Sequence, residues 1–218
     1  MASTKELQVP KRRARNSLSE ELILDTALRI VAEGQTLSIR FVADKLNCSP
    51  MALYRHFPNK QSLVLALIDR VMEEMPLNPV GETWEERVLS WASSHLQTLQ
   101  ANPWAISLLM ENPDPGRNVR MTGETLLREL GASKQPEERV IATFSAILAL
   151  NYGWAGFTSN ARTSARRTKS IVSLGSRNPS AQELPVTARY WTQITKVGTR
   201  EQHLVAVSLL ISGLVVNE

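Results

Sequence analysis

The chain has 218 residues, 43% of them apolar and 21% charged, enough for a sizeable core and one or two domains, and too apolar to be disordered throughout. The opening MASTKELQVPKRR lacks the apolar run of a secretory signal, and the longest apolar run, residues 204–216, falls short of the roughly 18 to 20 residues of a membrane-spanning helix, so it reads as a buried helix. The net charge of +4 is unevenly spread: residues 1–60 hold ten Lys/Arg against six Asp/Glu, residues 61–160 seven against twelve, and residues 161–200 eight against one.

A basic front end beside an acidic middle suggests a polyanionic partner for the first segment, although a solvated basic tail has the same composition. Within that tail, Lys11, Arg12, Arg13 and Arg15 form an arm, residues 1–17, just ahead of the first periodic segment. Such an arm is placed to lie along a groove beside a bound helix. The single cysteine, Cys48, excludes an internal disulfide, offers no metal-ligand spacing and fits a reducing cytoplasm.

From Ser19 onward, Ile23, Ala27, Ile30 and Val31 recur at one helical face, widened by Leu24 and Leu28. Ser19 is placed to cap this helix, Leu18 to staple onto Ile23, and Gly34 to end it. Ser38 is a cap for a second helix in which Ile39, Val42 and Leu46 face inward and Arg40 stays outside. Asn47, tolerant of the left-handed conformation, ends it. Ser49 and Pro50 then open a third helix over residues 50–56, so close behind the second that the two must cross steeply, as in a helix-turn-helix. Leu53 and Phe57 turn toward the core, which leaves Met51, Ala52, Tyr54, Arg55 and His56 outside or at the boundary. Pro58 stops this helix, and Asn59 caps the next, which begins at Lys60 and carries the stripe Val64, Leu67, Ile68, Val71.

A helix so short is marginal alone, and its polar outer face makes sense if it is held rigidly for insertion into a major groove. Arg55, Tyr54, His56 and Lys60 are then ligands for phosphates or base edges, Ser49 and its helix terminus a phosphate contact, and Met51 and Ala52 apolar contacts to thymine methyls. With Ser38, Arg40 and Pro50 they make up the expected DNA-binding set.

The run LSIRFVADKLNCSPMALYRHFPNKQSLVLAL, residues 37–67, resembles the DNA-binding domain of the tetracycline-repressor (TetR) family. The shared elements are the Ser-Ile-Arg opening of the second helix, the Leu-Tyr-Arg-His-Phe block, and the Asn-Lys that begins the fourth helix. Asn47 departs from the glycine usual in the turn. The resemblance covers roughly the first 75 residues and implies an all-α homodimer, Ω-shaped, of about nine to ten helices. Its N-terminal helix-turn-helix domain, residues 18–75, would bind a pseudo-palindromic operator. Its C-terminal domain, residues 76–218, would dimerise and hold a small molecule whose binding releases DNA.

Some parts of that scheme can be sought in the later sequence. Ala142, Ala146, Ala149, Gly153 and Gly156 form a stripe of small residues within residues 136–160, which fits one half of a dimer interface with residues 204–216 as the other. Together they would make a four-helix bundle, although an internal core helix has the same pattern. Trp91, His95, Leu99, Trp104, Leu108, Phe144, Leu148 and Tyr152 are candidates to line an effector pocket, with ordinary core as the competing reading. Residues 161–185, ARTSARRTKSIVSLGSRNPSAQELP, have no periodicity and read as a long connection: disordered, a flap over the ligand, or a second phosphate contact. Residues 185–194 fit a short helix.

Two further function classes compete with a ligand-released repressor. One is a DNA-binding regulator controlled by a protein partner or by abundance. The other is an enzyme, against which stands the lack of any HExxH, GxSxG, GxGxxG, P-loop or clustered His/Cys set; the three histidines are scattered at 56, 95 and 203. No metal, cofactor or membrane partner is expected.

Overall fold

The computed structural model describes residues 18–111, 116–167, 180–194 and 199–215. Among them are ten α-helices and no strand. The chain divides into two compact units, the first ending at Leu67 and the second beginning at Ile68.

In the first unit α1 (Glu20–Ala32) starts where the Ser19 hydroxyl accepts the Leu22 N–H, and ends at Gly34 with a positive φ of 72°. Its buried face is Ile23, Thr26, Ala27 and Ile30. The Ser38 hydroxyl accepts the Phe41 N–H and caps α2 (Ile39–Lys45), whose Ile39, Val42 and Ala43 are buried. Asn47 then takes the left-handed conformation at φ 51°, doing the work that glycine does in most such turns. α3 (Pro50–Tyr54) follows at once, with Ser49 as its N-cap residue. α4 (Lys60–Met72) is opened by a reciprocal pair: the Asn59 side chain accepts the Ser62 N–H at 2.8 Å, and the Ser62 hydroxyl accepts the Asn59 N–H.

The second unit contains α5 (Trp84–Ala101), α6 (Trp104–Glu111), α7 (Arg117–Gly131), α8 (Glu137–Arg167), α9 (Pro185–Ile194) and α10 (Arg200–Val215). α5 begins with a full capping box between Thr83 and Glu86. Its buried residues Val88, Trp91, Ala92, Leu96 and Leu99 meet Leu126 and Leu130 of α7, Ile147 and Ala155 of α8, and Val207, Ile211 and Leu214 of α10. The buried Glu129 carboxylate receives the Arg87 guanidinium at 2.6 Å and Arg128 at 3.3 Å, which ties α5 to α7. Burial works to raise the pKa of Glu129, but hydrogen bonds from the two arginines outweigh it and hold the carboxyl below its ordinary range. Asp69 serves as the cap of α7, its carboxylate accepting the Asn118 N–H at 2.6 Å and the Val119 N–H at 3.3 Å. Glycine at 116 leaves room for that carboxylate, which a Cβ would strike.

Two expectations are corrected. The third helix ends at Tyr54 rather than residue 56, because the His56 and Phe57 N–H groups both turn back to the Leu53 carbonyl and tighten the chain ahead of Pro58. Residues 161–185 are not one aperiodic connection: α8 continues unbroken through Arg167, since Ala161 to Arg167 contains no proline or glycine and three arginines that favour helix. The rest of that segment up to residue 179, and the arm Lys11, Arg12, Arg13, Arg15, lie outside the described residues. The continuous α8 also contains a 22-residue stretch, 137–158, long and apolar enough to cross a membrane by length and composition, 28% of it buried within this chain. Its packing on α5, α7 and α10 makes it the central helix of the second unit.

Candidate nucleic-acid interface and regulatory core

The expected DNA-binding residues lie at the start of α2, on α3 and the residues flanking it, and at the start of α4. Leu53 is fully buried and Phe57 nearly so, and these two anchor α3 from beneath. Met51 is 69% exposed and Tyr54 43% exposed, three residues apart and so on one face of the helix. Arg40, Ser49, Arg55 and Lys60 are exposed, while Ser38, Pro50, Ala52 and His56 are half-buried. The Ser49 hydroxyl makes no capping bond to its own helix, unlike those of Ser19 and Ser38. Arg55 is the C-cap residue of α3 and His56 follows it, so both leave from the end of the helix rather than from its flank. His56 Nδ1 stands 4.0 Å from a Glu20 carboxylate oxygen at the start of α1. Burial raises the pKa of the Cys48 thiol beside this turn, which keeps it in the unreactive form.

The residues expected to line a pocket separate into two groups. Trp91 and Leu99 are fully buried core, and the Trp91 indole N–H donates to the Thr122 carbonyl at 3.1 Å. His95 stacks on Trp91 at 4.7 Å between centroids and meets the edge of Tyr152 at 5.7 Å. Phe144, Leu148 and Tyr152 of α8 pack half-buried against this core, Phe144 facing Gly123 of α7. Trp104 and Leu108 of α6 are half-buried but lie outside that cluster, where Ile106 and Leu109 take their place.

The centre of the second unit is polar, a feature the sequence reading missed. Asn151 is fully buried; its side-chain N–H₂ donates to the Ala92 carbonyl at 3.1 Å and to His95 Nδ1 at 3.0 Å, and its oxygen meets His203 Nε2 at 2.6 Å. His203, also fully buried, touches Trp154 edge-on at 5.6 Å. The signal available in sequence was one asparagine within the apolar stretch of α8, at the spacing of the buried face.

Burial, and after it the charge of His203, pulls His95 down to about 3; burial alone lowers His203. Both rings are therefore neutral in the fold and protonatable once unfolded, so the unfolded chain binds more protons below about pH 6.5. Stability is expected to be flat above that pH and to fall below it, by up to about 1.4 kcal/mol per pH unit for each histidine. Thermal unfolding of the intact protein between pH 7.5 and 5 measures this, and a melting temperature unchanged over that range would contradict the neutral pair.

Residues 23–67 match the profile of bacterial regulatory proteins of the tetR family, and residues 75–217 that of the tetracyclin repressor-like C-terminal domain. A curated HTH-type transcriptional regulator of Saccharopolyspora erythraea is 26% identical over 144 residues, which is 63% of this chain and 61% of that protein. The chain thus spans less than two thirds of that relative's length. A TetR transcriptional regulator of Streptomyces coelicolor superposes with a TM-score of 0.74 at 24% identity, over 91% of this chain and 98% of the other. The ActR protein of the same organism, solved in complex with actinorhodin, gives 0.76 at 20% identity over 91% and 96%. With both profiles together covering most of its length, this chain belongs to the tetR family of bacterial regulatory proteins.

Proposed function

We propose that the protein is a repressor that binds a palindromic operator as a homodimer through α2, the Asn47 turn and α3, and that a small-molecule effector held in the second unit releases it. The observation that carries the DNA reading is α3 itself. Five residues of helix are anchored by buried Leu53 and Phe57 and present exposed Met51, Tyr54 and Arg55, which suits a probe for base edges rather than a folding element. The contacts assigned to phosphates are Ser38, Arg40, Ser49, Pro50 through its helix terminus, His56 and Lys60; Met51, Ala52, Tyr54 and Arg55 read bases.

Homodimerisation is supported by the open faces of α8 and α10. Ile141, Ala142, Ala149, Gly153 and Phe157 on α8 are exposed, as are Val205, Leu209 and Val215 on α10. Apolar and small residues in adjoining stripes are an interface in search of a partner helix. Ala146 and Gly156 are half-buried at the margin of that stripe. The effector reading is supported by the fold-level likeness to ActR, solved with actinorhodin bound. Release follows by population shift if the effector favours a spacing of the two α3 helices other than the roughly 34 Å of one DNA turn.

Selection of bound fragments from genomic DNA tests the reading, with a palindrome as the expected product. On that sequence, Lys60→Ala and His56→Ala are expected to weaken binding to all DNA and to flatten the salt dependence, Lys60→Ala by about one unit of slope. Arg55→Ala and Met51→Ala are expected also to change which operator is preferred, at about 1 to 3 kcal/mol per lost base contact. Unchanged affinity in all four would remove α3 from the interface.

A further inference from the structure

We propose that the buried corner where α8 meets α10, at Trp154 and His203, is the polar end of the effector site and takes an uncharged, hydroxyl-bearing small molecule. The proposal rests on the effector reading above and adds the chemistry of the ligand.

The Asn151 amide is fixed in orientation, because its N–H₂ group faces the Ala92 carbonyl, which can only accept. Its oxygen therefore faces His203 Nε2, and the 2.6 Å contact requires that nitrogen to carry the proton. A neutral imidazole protonated at Nε2 has a lone pair at Nδ1. His203 Nδ1 is buried and has no partner among the described residues. The Trp154 indole N–H, on the ring that meets His203 edge-on, is likewise buried and unpartnered.

Two buried polar atoms without a partner among the described residues, one on each of two rings in contact, mark a place where a further group belongs. The imidazole nitrogen is an acceptor and the indole N–H a donor. An ionised carboxylate has no proton to give the imidazole; an ammonium has no lone pair for the indole N–H and would lose its hydration. A hydroxyl both donates and accepts. The half-buried ring of Trp154 supplies the apolar wall beside it.

Phenol is the probe, with anisole as the match that accepts but cannot donate, titrated into the intact protein while the Trp154 indole N–H and His203 imidazole nitrogen resonances are followed. Phenol is expected to move both signals, and anisole to bind about tenfold more weakly, the effect of one hydrogen bond to a buried acceptor. Trp154→Phe, which removes the donor and keeps a ring, is expected to weaken phenol by a similar factor with the helical circular dichroism unchanged. Equal binding of phenol and anisole would overturn the proposal. So would resonances unmoved by phenol with a long-lived water on both atoms, since the corner would then hold structural water only. DNA binding measured alongside separates the two readings. Phenol seated on His203 with DNA affinity unchanged supports the subsite and refutes release; release by some other compound with both resonances still refutes the subsite alone.

Discussion

Replacing Leu53 by alanine is expected to abolish DNA binding while leaving the second unit folded. Leu53 is fully exposed to core and to nothing else, at 0% solvent exposure, and with Phe57 it is what holds a five-residue helix in place. Truncating a buried leucine costs about 2 to 5 kcal/mol. A unit of this size has on the order of 0.05 to 0.15 kcal/mol of stability per residue, so the loss is comparable to its whole margin. A helix as short as α3 has no independent stability to fall back on. The readout is unusually clean, because all five tryptophans, at 84, 91, 104, 154 and 191, lie in the second unit. Tryptophan emission is expected to be unchanged and operator affinity to fall by at least about a hundredfold, the equivalent of roughly 2.8 kcal/mol. Retained operator binding in a variant with α3 demonstrably frayed would mean that another surface reads DNA.

Replacing Gly153 by leucine is expected to convert the dimer to monomer and, through it, to weaken operator binding by on the order of 10²- to 10⁴-fold as bivalency is lost. A Cβ built on Gly153 meets nothing within 4 Å in its own chain, and the residue is exposed on the stripe that includes Ala149 and Phe157. Leucine is also the better helix former by nearly 1 kcal/mol. The single chain therefore has every reason to tolerate the change, and whatever it disrupts belongs to a partner. Sedimentation velocity gives the oligomeric state and a titration of the selected operator gives the affinity. A leucine variant that remains dimeric would move the interface off this face of α8.

Much of the DNA-binding unit was legible in sequence because its signals are local. Ser19, Ser38 and Asn59 cap through side chains three residues from their targets, Gly34 and Asn47 adopt the left-handed turns that their types favour, and Leu53 and Phe57 fall on the buried side by spacing alone. Each depends on neighbours within a turn of helix, which is the range over which sequence speaks directly. The length of α8 beyond residue 160 was missed for a related reason: a basic, serine-rich run looks like a loop, although nothing in Ala161 to Arg167 breaks a helix.

The regulatory core was not legible, because its meaning lies in which helices meet. His95, Asn151 and His203 are separated by more than fifty residues at each step and join only when α5, α8 and α10 pack. Scattered histidines give no spacing to read, yet packing them around one buried amide makes both neutral and leaves His203 Nδ1 without a partner. Asp69 and Gly116 are a further case: a carboxylate on α4 caps α7, a pairing visible only once α7 is brought beside it. Sequence determined the helices, their ends and the exposed residues of α3, since those follow from short-range hydrogen bonds and period. Tertiary structure alone decided which polar groups are buried together, because desolvation and pairing depend on contacts that chain distance does not encode.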